Sequence, residues 1–104
     1  MGPPDYFDRD GKPITREAWG VLASQQTYKS LAVDRIGSHV VSTVWLGLNH
    51  RFGDGPPLIF ETMVFPDSAW DGDGDLIELD TRRYSTEEAA LLGHADVVES
   101  LGLR

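Results

Sequence analysis

Apolar positions are concentrated in two segments near the middle of the chain, Val40 to Leu48 and Leu58 to Phe65. In each they fall on both parities of a period of two, the pattern of a strand covered on both faces. In the first, Val41, Thr43 and Trp45 share one face, and Val40, Ser42, Val44, Leu46 and Leu48 the other. In the second, Leu58, Phe60, Thr62 and Val64 oppose Ile59, Glu61, Met63 and Phe65, so Glu61 interrupts an otherwise apolar row. Pro66 closes that segment because it has no N–H to donate to a ladder.

The flanking pattern supplies the other elements. Tyr6 to Ile14 surrounds an Asp-Gly pair and reads as a short strand or hairpin. Thr15 is a helix N-cap ahead of an apolar stripe of Ile14, Ala18, Val21 and Leu22, widened by Trp19, and this helix ends near Ser24 to Gln26. Tyr28 to Val33 is a strand with weak alternation, and Gly37 turns the chain into the next one with a positive φ. Leu76 to Tyr84 is a last strand at a sheet edge. Ser85 and Glu88 have capping-box spacing, with Ser85 as N-cap. They open a helix from Thr86 to Leu101 whose inward stripe is Leu91, Ala95, Val98 and Leu101, stopped by Gly102. The order β, α, β, β, β, β, α predicts an α+β fold in one domain over residues 1–104: a four-stranded antiparallel meander with both helices on one face.

Composition narrows the chemistry. The 104 residues include no cysteine, which excludes disulfides, zinc–thiolate sites and thiol nucleophiles. A net charge of −8 opposes contact with nucleic-acid phosphates and favours a basic partner surface. Neither a leader-like start nor an apolar run of membrane-spanning length is present, so a soluble protein of the cytoplasm is the expectation, with no membrane partner.

The candidate site is the nine-residue loop Asn49 to Pro57 between the two central strands. Asn49, His50, Arg51, Phe52 and Asp54 there are the residues expected to bind a ligand or partner, with glycines admitting close approach and prolines stiffening the loop. Glu61 is the sixth candidate, either joining His50 as a base with its orienting group or pairing across strands with Arg82 or Lys29. Nucleophile elbow, helical zinc motif and phosphate loop are all missing, so no catalytic residue is assigned. The run Asp71 to Asp75 begins like a calcium loop but has Leu76 where glycine belongs and Arg82 where a bidentate glutamate belongs. His39, His50 and His94 share no metal spacing. Hence no metal or cofactor is expected. His94 reads as a packing residue at a helix margin, Trp19 and Trp45 as core, and Trp70 as an exposed contact.

The stretch Ser42-Thr43-Val44-Trp45-Leu46-Gly47-Leu48-Asn49-His50, followed by Phe52-Gly53-Asp54-Gly55-Pro56-Pro57-Leu58-Ile59-Phe60-Glu61-Thr62-Met63-Val64-Phe65, resembles a family of small proteins of phages, prophages and actinobacterial genomes. Tyr6-Phe7-Asp8, Gly11-Lys12-Pro13-Ile14, Arg83-Tyr84-Ser85-Thr86-Glu87-Glu88 and Gly93-His94 extend the resemblance over most of the chain. It implies a setting rather than an activity: a viral accessory protein inside a bacterial host. In that family the Asp67–Asp75 stretch varies in length, so no common site is placed there.

These readings converge on a binding protein acting on a host protein or a small ligand, counter-defence being one role that fits the setting. The alternatives are a small hydrolase of a nucleotide-like or phosphorylated metabolite, built on His50, Glu61 and an arginine, and a virion or assembly component, with the oligomeric state open. On the loop-site reading, replacing His50 and Arg51 together by alanine abolishes partner binding and leaves the melting temperature nearly unchanged; a pull-down paired with a thermal melt checks both.

Overall fold

Four strands pair antiparallel in chain order: β1 (Ser30–Ile36), β2 (His39–Trp45), β3 (Phe60–Pro66) and β4 (Asp80–Tyr84). The computed structural model describes residues 5–51, 53–70 and 80–102. Phe52, the Asp71–Asp75 run and the expected strand start at Leu76 lie outside them, as does the side chain of Trp70. The α+β architecture and the meander are as the hydrophobic pattern predicts, with β2 and β3 central. Register follows from the two-residue period: Val41 faces Val64, Thr43 faces Thr62 and Val44 faces Glu61. Between β3 and β4, Thr62 faces Arg82 and Glu61 faces Arg83.

Among the described residues four helices accompany the sheet: α1 (Arg16–Ala23), α2 (Gln26–Lys29), α3 (Asp67–Trp70) and α4 (Glu87–Gly102). The short α2 and α3 were not predicted. Tyr28, expected in a strand, lies in α2 and sets its ring edge-on to Trp45 at 4.9 Å. β1 then starts at Ser30 with a bulge between Ser30 and Ala32, and the extra residue, Leu31, packs against the core cluster that contains Trp45. A single-turn helix has too little periodicity to register in the sequence.

Among the described residues, α4 is the only helix packed against all four strands. It covers the face carrying Val41 and Val64, against which Val97 packs, with Val98 and Leu101 at the margin. The predicted stripe is rotated. Ala90, Gly93, His94 and Val97 are buried, whereas Leu91 and Leu92 are 42% and 63% exposed. The cause is tertiary. The Tyr84 ring at the end of β4 lies so close to α4 that only a residue without a side chain fits, and Gly93 is that residue. The N-cap is Thr86, whose Oγ1 accepts from the Ala89 N–H at 3.1 Å, one position later than the expected Ser85.

α1 is capped by Thr15 as predicted, the Ala18 N–H donating to its Oγ1 at 3.1 Å. Its inward residues are Trp19, Leu22 and Ala23, while Val21 from the expected stripe is 61% exposed. Trp19 sets this orientation. Its Nε1–H donates to the Leu46 carbonyl at 2.9 Å and its ring lies 5.3 Å from Tyr6. Gly47, with φ +72°, lies against both tryptophans where a β-carbon would collide. The N-terminal segment is the expected small hairpin, bridging Phe7 to Pro13, with Asp8 accepting from the N–H groups of Asp10 and Lys12.

Gly93→Ala tests the helix placement. Alanine favours an isolated helix by about 1 kcal/mol, yet here its methyl meets the Tyr84 ring, and overpacking costs about 1–3 kcal/mol. A urea melt should therefore show net destabilisation; equal or greater stability would mean that α4 is not seated on Tyr84.

Candidate functional site

The structure divides the six candidates into separate places. Asn49 lies at the base of the loop, and its Oδ1 accepts from the N–H groups of Arg51 and Leu58 at 2.9 and 3.1 Å. Arg51 reaches across the loop, its Nε–H donating to the Pro56 carbonyl at 2.5 Å, and its side chain packs against Gly55, whose φ is +129°. These two side chains brace the loop itself. His50 is half-buried, its N–H donating to the Leu58 carbonyl at 3.1 Å, and Asp54 is exposed. Phe52 is outside the described residues.

Glu61 does not join them. It lies three residues beyond Leu58, about 10 Å along the strand, and is 8% exposed. Its Oε2 accepts from Arg83 Nε at 3.0 Å. The expected partners Arg82 and Lys29 are thus replaced by Arg83, because register places Arg83 directly opposite on the same face. The His50–Glu61 pair needed for the hydrolase reading is not assembled.

His94, read from sequence as marginal packing, is the centre of a buried polar chain. Its Nε2 lies 2.6 Å from Asp34 Oδ2 and its Nδ1 2.7 Å from Thr43 Oγ1, which in turn lies 2.5 Å from Thr62 Oγ1. A carboxylate only accepts, so Nε2 carries a proton toward Asp34; with the ring neutral, Nδ1 accepts from Thr43, and Thr43 accepts from Thr62. The order hydroxyl, imidazole, carboxylate matches that of hydrolytic triads. Thr43 is nevertheless 0% exposed, so no substrate carbonyl can approach its oxygen. The chain secures α4 to β1, β2 and β3.

A second tie holds the N-terminal hairpin to α4. Arg9 Nε donates to Glu87 Oε1 at 2.6 Å, and its guanidinium sits 5.4 Å from the Tyr28 ring centre. The Glu87 hydrogen bond raises the Arg9 pKa further above its ordinary value. This pair borders a cleft of about 320 Å3 with Pro56 and Pro57 on its other side.

The feature with the form of a binding site is on the sheet face opposite α4. A cavity of about 550 Å3 opens there, within the range of small-molecule sites. Val33, Val44, Leu46, Met63 and Phe65 give it an apolar floor. Trp19 and Ala23 of α1, and Gln26 and Lys29 of α2, form its rim. Ser30, Ser42 and Glu61 add polar atoms. Of the predicted site residues that the structure describes, only Glu61 belongs to it. Sequence reasoning had the signal for the rest, two central strands apolar on both faces, with both helices expected on one of them.

Comparison with protein-family models, curated proteins and solved structures returns no match. Among the described residues no cluster of three or more metal-ligating side chains occurs, and no helix is long and apolar enough to cross a membrane.

The polar chain sets a stability hierarchy. His94→Ala leaves a void and orphans Thr43, for an expected loss of about 2–4 kcal/mol. Asp34→Ala, with a side chain 52% exposed, loses about 1 kcal/mol or less. Chemical denaturation of the two variants checks the order; equal losses would contradict the buried-chain assignment.

Proposed function

We propose that this chain is a non-enzymatic binding protein whose site is the cavity on the open sheet face, and that it holds a small apolar ligand there. The single observation behind the reading is the size and lining of that cavity: about 550 Å3 over a floor of aliphatic and aromatic side chains, rimmed by a few polar ones. Val33, 46% exposed, and the half-buried Val44, Leu46 and Met63 leave apolar surface on the cavity wall in contact with water, forgoing about 25 cal/mol per Å2 of the burial that stabilises a small domain. A bound molecule recovers that burial. The phage or prophage setting is part of the same proposal, and makes the ligand a metabolite or signal of the bacterial host, withheld from or presented to host machinery.

The loop Asn49 to Pro57 takes a different role in this reading. Its two strongest polar side chains hold its shape, so it acts as a brace for the ends of β2 and β3 rather than as a contact surface. Arg51→Ala then loosens the loop and leaves ligand binding intact, the reverse of the loop-site expectation.

The decisive variant fills the floor. Val44→Trp, with the indole occupying the cavity, should abolish retention of a small molecule, whereas His50→Ala should not change it. Native mass spectrometry of protein purified from expressing cells reads both. Retention by Val44→Trp with loss in His50→Ala would return the site to the loop.

A further inference from the structure

Resting on the reading of the cavity as a binding site, we infer that its ligand is an apolar carboxylate, a linear or aromatic acid whose carboxylate meets Lys29 and whose tail lies over Val44 and Met63. The inference comes from how charge is disposed around the cavity. Glu61 is the carboxylate lining it, and Arg83 already occupies one of its oxygens at 3.0 Å. Lys29 lines the same cavity from the end of α2, is half-buried, and has no acidic partner among the described residues. Among the described lining residues the balance of charge is therefore one unmatched cation.

Geometry separates the two ends. Ser30, Val44, Glu61 and Arg83 form one cross-strand row. Lys29 adjoins Ser30, so its backbone stands two strands from that of Glu61, about 10 Å at the usual strand spacing. With the backbones that far apart, a carboxylate can reach the Lys29 ammonium without lying on Glu61, and an amine at the Glu61 end has to compete with Arg83. The groups next to Lys29 in the chain also suit an anion, since the Gln26 amide one turn earlier and the hydroxyl of the adjoining Ser30 both donate and both line the cavity.

A carboxylate fits better than a phosphate. Phosphate sites combine several cations, a guanidinium fork or converging backbone N–H groups, and here one ammonium stands at an apolar wall. The net charge of −8 repels any anion at a distance, so a preference for the acid can arise only from a local group. At an apolar wall that local attraction is screened less than in water.

The test uses the full chain and three probes with the same tail, decanoate, decanol and decylamine, each below its aggregation threshold. Titration calorimetry gives affinity, and amide chemical shifts of Val44 and Met63 give location. Decanoate should bind about tenfold tighter than decanol, a gap typical of one charge-assisted hydrogen bond, and decylamine should bind more weakly than either. Lengthening octanoate to decanoate should tighten binding about three- to fourfold per methylene. Lys29→Gln should bring decanoate to the level of decanol and leave decanol unchanged. Equal binding of all three probes, preference for the amine, or a preference for the acid that persists in Lys29→Gln would each overturn the carboxylate assignment while leaving the cavity as a site. Failure of all three to shift Val44 and Met63 would overturn the cavity reading and this inference with it.

Discussion

The controlling constraint is that β2 and β3 are apolar on both faces while, among the described residues, only one helix is long enough to cover a face. α4, with 16 residues, spans the four strands on one side. α1 and α2, with eight and four, can do no more than rim the other. In a two-layer α+β domain each apolar sheet face needs a covering layer. Here one face is sealed, and the other holds a cavity. The candidate site is thus a consequence of element lengths.

The sealed face is specified by polar contacts as much as by apolar ones. Val97 against Val41 and Val64 supplies burial, and such contacts tolerate sliding. The Thr62–Thr43–His94–Asp34 chain does not, because displacing α4 by a turn would leave buried hydroxyls and an imidazole without partners. Gly93 against Tyr84 adds a steric stop one residue away. Together they fix the rotation of α4 and expose Leu91 and Leu92, which apolar periodicity alone would place inside.

The open face has its charges arranged in the same economical way. Glu61, a buried carboxylate in an apolar row, is tolerable because Arg83 lies opposite in the register. Lys29 reaches the cavity from the last residue of a one-turn helix that follows directly on α1. The loop Asn49–Pro57 has the composition of a binding loop but directs Asn49 and Arg51 back onto its own backbone. Polar residues in a loop of this length satisfy the backbone groups that a tight hairpin turn would have paired, and Asn49 and Arg51 do so here.

Strand identities, the faces of β2 and β3, the Thr15 cap, the meander and the α+β class were legible in the chain itself, since a period of two and local capping chemistry depend on near neighbours in sequence. The placement of α4, the promotion of His94 from margin to centre, the choice of Arg83 for Glu61 and the cavity on the sheet face opposite α4 were settled only by tertiary structure. Each depends on residues far apart in the chain meeting at a fixed distance: Thr43 with His94, Tyr84 with Gly93, Val44 with Lys29's neighbour Ser30. Periodicity reports which positions are apolar. It does not report how far a helix is rotated against a sheet, or whether anything remains to cover the second face.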